Sequence, residues 1–365
     1  MSGSAETIRV LLIGPSLRKP GGQAIQARKL VDAFSKVSGL EASFVPIDPE
    51  LPGGLGRLQQ VRFIRTIVTE IAYLGSLLAR IPRVDVVHAF SASYFSFLLA
   101  PAPAILLARL FGKKVVVNYR SGEAADHLAR WGWHARPLLR LAHAIVTPSE
   151  YLVGIFAAHG LKAESVENFV DLDAIPFRIR EHPAPRFLAN RSFESLYNVA
   201  CVIRAFALVQ KEIPSATLIL VGTGSRRAEL EGLVDELGLR GVRFAGAVAP
   251  DEMARLYGDA EVYLNAPDID NMPNSILEAF AAGLPVVSTA AGGIPFIVTD
   301  GVDGLLVPVG DAAALATAAL RVVREPELAV RLTAAARARA AGSYSWDAVR
   351  LRWLALYRRL VTGAG

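Results

Sequence analysis

The sequence predicts an α/β protein made of two Rossmann-like, doubly wound parallel sheets, and three observations carry that expectation. Short β-branched runs alternate with longer stretches of helical period, a polar, proline-bearing segment interrupts the alternation near the middle, and the alternation then restarts. A chain of 365 residues also exceeds what one hydrophobic core usually holds, so two facing domains with a cleft between them are expected.

In the first half Ile8–Gly14, Ser43–Ile47, Val84–His88, Lys114–Asn118 and Ala144–Pro148 read as strands, separated by segments long enough for crossover helices. The stretch from Ala89 to Ala108 is uncharged, but its serines and the pair Pro101 and Pro103 suit a buried layer helix better than a bilayer span. After Asn168-Phe169-Val170-Asp171 the chain turns polar, and Arg178 through Pro185 reads as a linker. Leu218–Gly222, Val242–Ala245, Val262–Asn265, Pro285–Thr289 and Leu305–Val307 are the strands of the second sheet, and a last helix, Trp346–Leu360, follows Gly342-Ser343. The expected domains are therefore 1–172 and 173–345, with 346–365 as a helix that packs back on the first.

Hydrophobic residues make up 52% and charged residues 20%, a globular composition. The single cysteine, Cys201, excludes an intramolecular disulfide and any site needing two thiolates. The amino-terminal residues lack the basic and long apolar regions of a secretion signal, so a cytoplasmic protein is expected.

The net charge of +5 belongs to the first half, where residues 1–172 hold 19 Lys+Arg against 13 Asp+Glu and the rest holds 20 against 21. Arg57, Arg62, Arg65, Arg80 and Arg83 interleave with Phe63, Ile64, Ile67, Ile71, Leu74, Leu77 and Leu78. That basic amphipathic pattern fits either an ordinary helix with a solvated arginine face or peripheral contact with the anionic inner face of a membrane. Nucleic acid is not an expected partner, because no DNA- or RNA-binding module or aromatic platform for single strands is present.

The most informative segment runs from Ala266 to Thr289: a strand ends, a polar loop follows, a helix begins near Asn274 or Ser275, and Gly283 closes it before the next buried strand. Such a helix start directs backbone N–H groups and a partial positive charge at its ligand, which favours a diphosphate. Asp270 and Glu278 are separated by seven residues. Glu278 also has a structural reading, since Ser275-x-x-Glu278 is a capping box.

The segment resembles the acidic E-x7-E signature of the retaining glycosyltransferases of family four, and Leu277-Glu278-Ala279-Phe280-Ala281 followed by Gly283-x-Pro285-Val286-Val287 matches that family's continuation. The resemblance extends from about Ile8 to Tyr357 and implies the GT-B fold. Gly21-Gly22 after the first strand is similar to the family's glycine-rich loop, and Val221-Gly222-Thr223-Gly224 to its turn beside the nucleotide base. The glycines of Ala291-Gly292-Gly293-Ile294-Pro295 match too, and fit turn geometry as well as ligand contact.

The resemblance implies a nucleotide diphosphate sugar as donor and a saccharide or lipid-linked acceptor in cell-surface polysaccharide or glycoconjugate synthesis. Glu278 would then hold the ribose hydroxyls and Asp270 a sugar hydroxyl. Met272, Pro273, Asn274, Ser275 and Ile276 would cradle sugar and phosphate, and Arg191 would bind the diphosphate, a task suited to a planar guanidinium. Three positions depart from the family: the first acid is Asp270, a usual lysine falls at Tyr197, and a usual histidine is replaced in Asn118-Tyr119-Arg120-Ser121-Gly122-Glu123, so that Arg120 or Glu123 would position substrate. His88 either lines the cleft or caps its strand.

Asp268-Ile269-Asp270 resembles the D-x-D metal site of the other glycosyltransferase fold, but the second Rossmann-like domain and the helix after it favour a metal-free site, and no cofactor is expected. A sugar-nucleotide epimerase and a catalytically silent donor-binding scaffold are the alternatives on the same fold.

Overall fold

The computed structural model describes residues 7–16, 22–51, 62–91 and 93–363. The chain divides into two compact units, one of Met1–Val166 with Arg350–Gly365 and one of Glu167–Val349.

The first unit runs β1 (Ile8–Gly14), α1 (Gly22–Phe34), β2 (Leu40–Pro46), α2 (Arg62–Arg80), β3 (Val86–Ser91), α3 (Phe95–Leu99), α4 (Pro101–Leu110), β4 (Lys114–Tyr119), α5 (Ala124–Arg130), α6 (Gly132–Arg140), β5 (Ala144–Thr147), α7 (Glu150–Ala158) and β6 (Glu164–Ser165). Its sheet is parallel in the order β2-β1-β3-β4-β5-β6. The central strands are buried on both faces, as Val86, Val87, Val115, Val116 and Val117 show, which is why they read as continuous apolar runs rather than alternating ones.

The second unit runs β7 (Arg186–Asn190), α8 (Val199–Glu212), β8 (Thr217–Val221), α9 (Arg227–Glu236), β9 (Val242–Gly246), α10 (Pro250–Asp259), β10 (Val262–Asn265), α11 (Asn274–Ala282), β11 (Val286–Thr289), α12 (Ile294–Ile297), β12 (Leu305–Val307), α13 (Ala312–Arg324) and α14 (Pro326–Ser343). Its parallel sheet has the order β12-β11-β10-β7-β8-β9. Apolar clusters cover both faces, one with α8 and α13 and one with α10, α11 and α14.

Several boundaries differ from the sequence reading. The third strand runs on to Ser91, which moves His88 from a strand end to a strand interior. The second unit starts at Glu167 rather than 173, because Asn168 hydrogen-bonds Met272 and Asn274 and Val170 bridges to Ser345. The last helix, α15 (Trp346–Thr362), crosses the division: from Arg350 onward it groups with the first unit, where Trp353 and Tyr357 pack on Phe34 and His88. Among the described residues no helix is long and apolar enough to cross a membrane.

Candidate functional site

The second sheet reverses its winding between β7 and β10, and open parallel sheets bind ligands at the carboxyl ends of the strands beside such a switch. Both strands deliver candidate residues there. Arg191 follows β7, and the loop 266–273 leads from β10 into α11.

Helix α11 starts at Asn274 with extended Pro273 as its N-cap and no side-chain cap. The capping-box alternative for Ser275 and Glu278 therefore fails. Proline fixes the entry at 273, so Ser275 already lies inside the first turn and Glu278 one turn beyond Asn274. At the other end Gly283 adopts φ +71°, and the N–H groups of Leu284 and Gly283 reach back to Ala279 and Phe280, a Schellman closure. The carbonyl end is then tied down by fully buried Arg180, which donates to the Ala282 and Tyr257 carbonyls, and by Arg337 on Ala281.

Arg191 is drawn onto the opening turn of this helix. Its Nη2 is ion-paired with the Asp270 carboxylate, and its Nη1 donates to Ser275 Oγ at 3.4 Å. The Tyr197 ring lies 4.0 Å from the guanidinium carbon. The Nε is buried without a hydrogen-bond partner among the described residues. Burial opposes the charge, but Asp270, with Tyr263 and Tyr197, more than offsets it and holds the Arg191 pKa above its ordinary value.

Asp270 is braced from behind. Its Oδ1 accepts from the Asn271 N–H at 2.7 Å and its carbonyl from the Gly293 N–H at 2.9 Å. A Cβ on Gly292 would stand 2.2 Å from the Asp270 carbonyl oxygen, and one on Gly293 2.1 Å from that of Asn271, so these glycines permit a close backbone approach. Gly222 and Gly224 do the same under the arginine, where a Cβ would come within 2.0 Å of the Arg191 carbonyl oxygen and 2.5 Å of that of Phe193.

Glu278 is half-buried and its Oε2 accepts from the Tyr257 hydroxyl at 3.1 Å. Asn190 Nδ2 donates to that hydroxyl at 3.3 Å, and the Tyr263 hydroxyl donates to the Asn190 carbonyl at 3.3 Å. Burial and then the Glu278 charge push the Tyr257 hydroxyl well up, and burial pushes Tyr263 up to about 12, so both stay protonated donors. Met272, Pro273, Ser275 and Ile276 are buried around the helix start, and Asn274 is half-buried. Asn168 locks this loop, its Nδ2 donating to the Met272 carbonyl at 2.9 Å and to Asn274 Oδ1 at 2.8 Å. The sequence reading missed Asn168, Asn190, Tyr257 and Tyr263; none carries a local signal, since each meets the site only through folding.

The remaining candidates belong to the first unit. Half-buried Arg120 follows β4, donates to Asn118 Oδ1 at 3.4 Å and lies over Phe90, and burial lowers its pKa to about 9. Glu123 is exposed at the start of α5. His88 is fully buried between Tyr357, 2.6 Å from its Nδ1, and Asn118, 3.0 Å from its Nε2, and desolvation depresses it to about 3. It is a fully buried core histidine in a strand interior rather than at a strand end. Gly22 opens α1, while Gly21 lies outside the described residues. The D-x-D carboxylates take separate partners, Asp268 accepting from Asn198 at 2.7 Å and Asp270 from Arg191. Among the described residues no group of three or more His, Cys, Asp or Glu is placed to hold a metal ion.

Comparison with known proteins agrees with this organisation. Residues 8–168 match the glycosyl transferase 4-like domain and residues 185–325 the group 1 glycosyl transferases. The chain is 28% identical over 289 residues to a glycogen synthase of Mycobacterium tuberculosis, covering 73% of this chain and 67% of that protein. It is 33% identical over 172 residues to the lipopolysaccharide core biosynthesis glycosyltransferase LpsE of Rhizobium meliloti, covering 47% of each. A crystal structure of Anabaena HepE with UDP and glucose superposes with a TM-score of 0.75 at 17% identity, over 97% of this chain and 100% of that one, a likeness of fold. With two parallel Rossmann-like sheets and both halves matched, the chain belongs to the family-four-like glycosyltransferases of the GT-B fold.

Proposed function

We propose that this glycosyltransferase moves a hexose-type sugar from a nucleotide diphosphate donor to a saccharide or lipid-linked acceptor, with retention at the anomeric carbon and without a metal. The reaction would serve cell-surface polysaccharide or glycoconjugate synthesis, in the cytoplasm and against the inner face of the membrane through the basic first unit. The observation that carries the donor reading is the meeting of Arg191 with Asp270 and Ser275 on the opening turn of α11. A buried guanidinium with one donor unpaired among the described residues, beside helix amides, suits an anion.

Arg191 and the helix start would take the diphosphate and stabilise the charge that develops as the glycosidic bond to phosphate breaks. Glu278, oriented by Tyr257, would accept from the ribose hydroxyls, and Asp270 from a sugar hydroxyl. The acceptor hydroxyl would add on the face the phosphate leaves, passing its proton to the departing phosphate oxygen, and Arg120 would position substrate from the first unit.

Glu278→Ala tests the assignment. Loss of charged hydrogen bonds should raise the donor Kd by about tenfold or more, and unchanged affinity together with unchanged turnover would remove it. The anomeric configuration of the product, read by NMR, tests retention, and an inverted product would refute it. Turnover unaffected by a strong chelator is expected; turnover restored only by a divalent ion would refute the metal-free reading.

A further inference from the structure

Helix α2 turns its most apolar side outward. Its inner side is fixed by Tyr73 and Leu77, both fully buried, and by the Tyr73 hydroxyl donating to the Ala100 carbonyl at 2.7 Å. Ile64, Ile67, Ile71, Leu74 and Leu78 recur every three or four residues on the opposite side, and Ile67 and Ile71 are 63% and 66% exposed. Val68, Gly75 and Ala79 fill the remainder of that face, which holds no charge and no side-chain hydrogen-bonding group. The neighbouring α4 packs against α2 and carries two exposed leucines of its own, Leu106 and Leu110, 50% and 77% exposed.

Two observations decide what covers such a surface. Protein interfaces are anchored by Trp, Tyr and Arg with directed hydrogen bonds, and the α2 face has only aliphatic side chains. The segment that carries it is cationic: residues 62–114 hold seven Lys or Arg and two acids, of which Asp85 is ion-paired with Arg9. A second copy seated on this face would bring two such basic surroundings together. An apolar ridge within a basic field matches the boundary between anionic headgroups and acyl chains.

We propose that the outward face of α2 docks the protein on an anionic lipid surface by sinking its Ile and Leu side chains below the headgroups. The docking rests on the membrane-side reading given above and replaces arginine attraction by aliphatic insertion as its main source of affinity.

The test is co-flotation of the full-length chain with phosphatidylglycerol-containing vesicles and with pure phosphatidylcholine vesicles, beside the double variant Ile67→Glu/Ile71→Glu. Both positions are exposed, so the variant should fold, and its thermal shift with nucleotide sugars should equal that of the parent. The parent should bind the anionic vesicles, lose part of that binding in high salt, and lose about tenfold or more in the variant. Failure of the parent to bind, equal binding by the variant, or complete loss in salt would overturn the proposal. A parent dimer by light scattering that the variant dissolves would overturn it too, assigning the face to a second copy. Absence of a thermal shift in both proteins would instead count against the donor reading and leave the lipid result standing.

Discussion

Tyr197 lies against Arg191, its ring centroid 4.0 Å from the guanidinium carbon, at the position where related sequences are expected to place a lysine. The substitution exchanges a second positive charge for a wall that fixes the first. Tyr197→Ala should therefore lower kcat by roughly fivefold, near 1 kcal/mol, while leaving the melting temperature almost unchanged. Arg191→Ala should lower kcat by roughly 100- to 1,000-fold. Arg191→Lys should recover little, since an ammonium cannot span Asp270 and Ser275 together. Steady-state kinetics on the three variants checks the order.

Tyr257 orients Glu278, and Tyr257→Phe removes that hydrogen bond, together with the one accepted from Asn190 and the long one to the Ser275 carbonyl, with little change in volume. A rise in donor Kd of about fivefold is expected, with kcat less affected, measurable by calorimetric titration.

Gly292→Ala and Gly293→Ala should cost activity out of proportion to stability. Their new methyl groups would meet the backbone of Asp270 and Asn271 at 2.2 and 2.1 Å and displace the acid that pairs with Arg191. A loss in kcat of roughly 100-fold is expected. Gly301→Ala is the control: it has positive φ and open space, so it should cost about 1–2 kcal/mol of stability and no activity.

How legible this was from sequence depended on range. The strands near Val115 and Val262 announce themselves because burial on both faces leaves uninterrupted apolar runs, and Pro273 with Gly283 brackets α11. The strand Arg186–Asn190 has no such signature, being short, following prolines and beginning with an exposed arginine. The seven-residue spacing of Asp270 and Glu278 points to the candidate site, but Asn168 lies far away in sequence and reaches it only because the second unit begins earlier than its polar composition suggests. His88 misled for a related reason: a polar residue at the edge of an apolar run looks like a strand end, and only the long-range partner Tyr357 makes it core.

Acid should destabilise the first unit. His88 and His127 are depressed by burial to about 3 and about 4, against an ordinary value of 6.5. Below pH 6.5 the unfolded chain binds protons that these folded histidines do not, so their stabilisation, complete above that pH, is lost as pH falls toward 4. The slope is at most about 1.4 kcal/mol per pH unit for each. Urea midpoints between pH 7 and 5 should fall for the parent, and fall less steeply for His127→Gln.

Arg180→Met keeps length but removes the side-chain donor from the Tyr257 carbonyl of α10 and from the Ala282 carbonyl of α11, the latter keeping only the Arg178 N–H. A loss of about 3 kcal/mol or more is expected in urea denaturation followed by tryptophan fluorescence.

The passage of α15 from one unit into the other has a consequence for synthesis. Phe34 and His88 leave the ribosome well before Trp353 and Tyr357, which cover them. The first unit is thus begun before the second and completed after it, and nascent chains stalled before residue 350 should show a protease-sensitive first unit beside a second unit already closed.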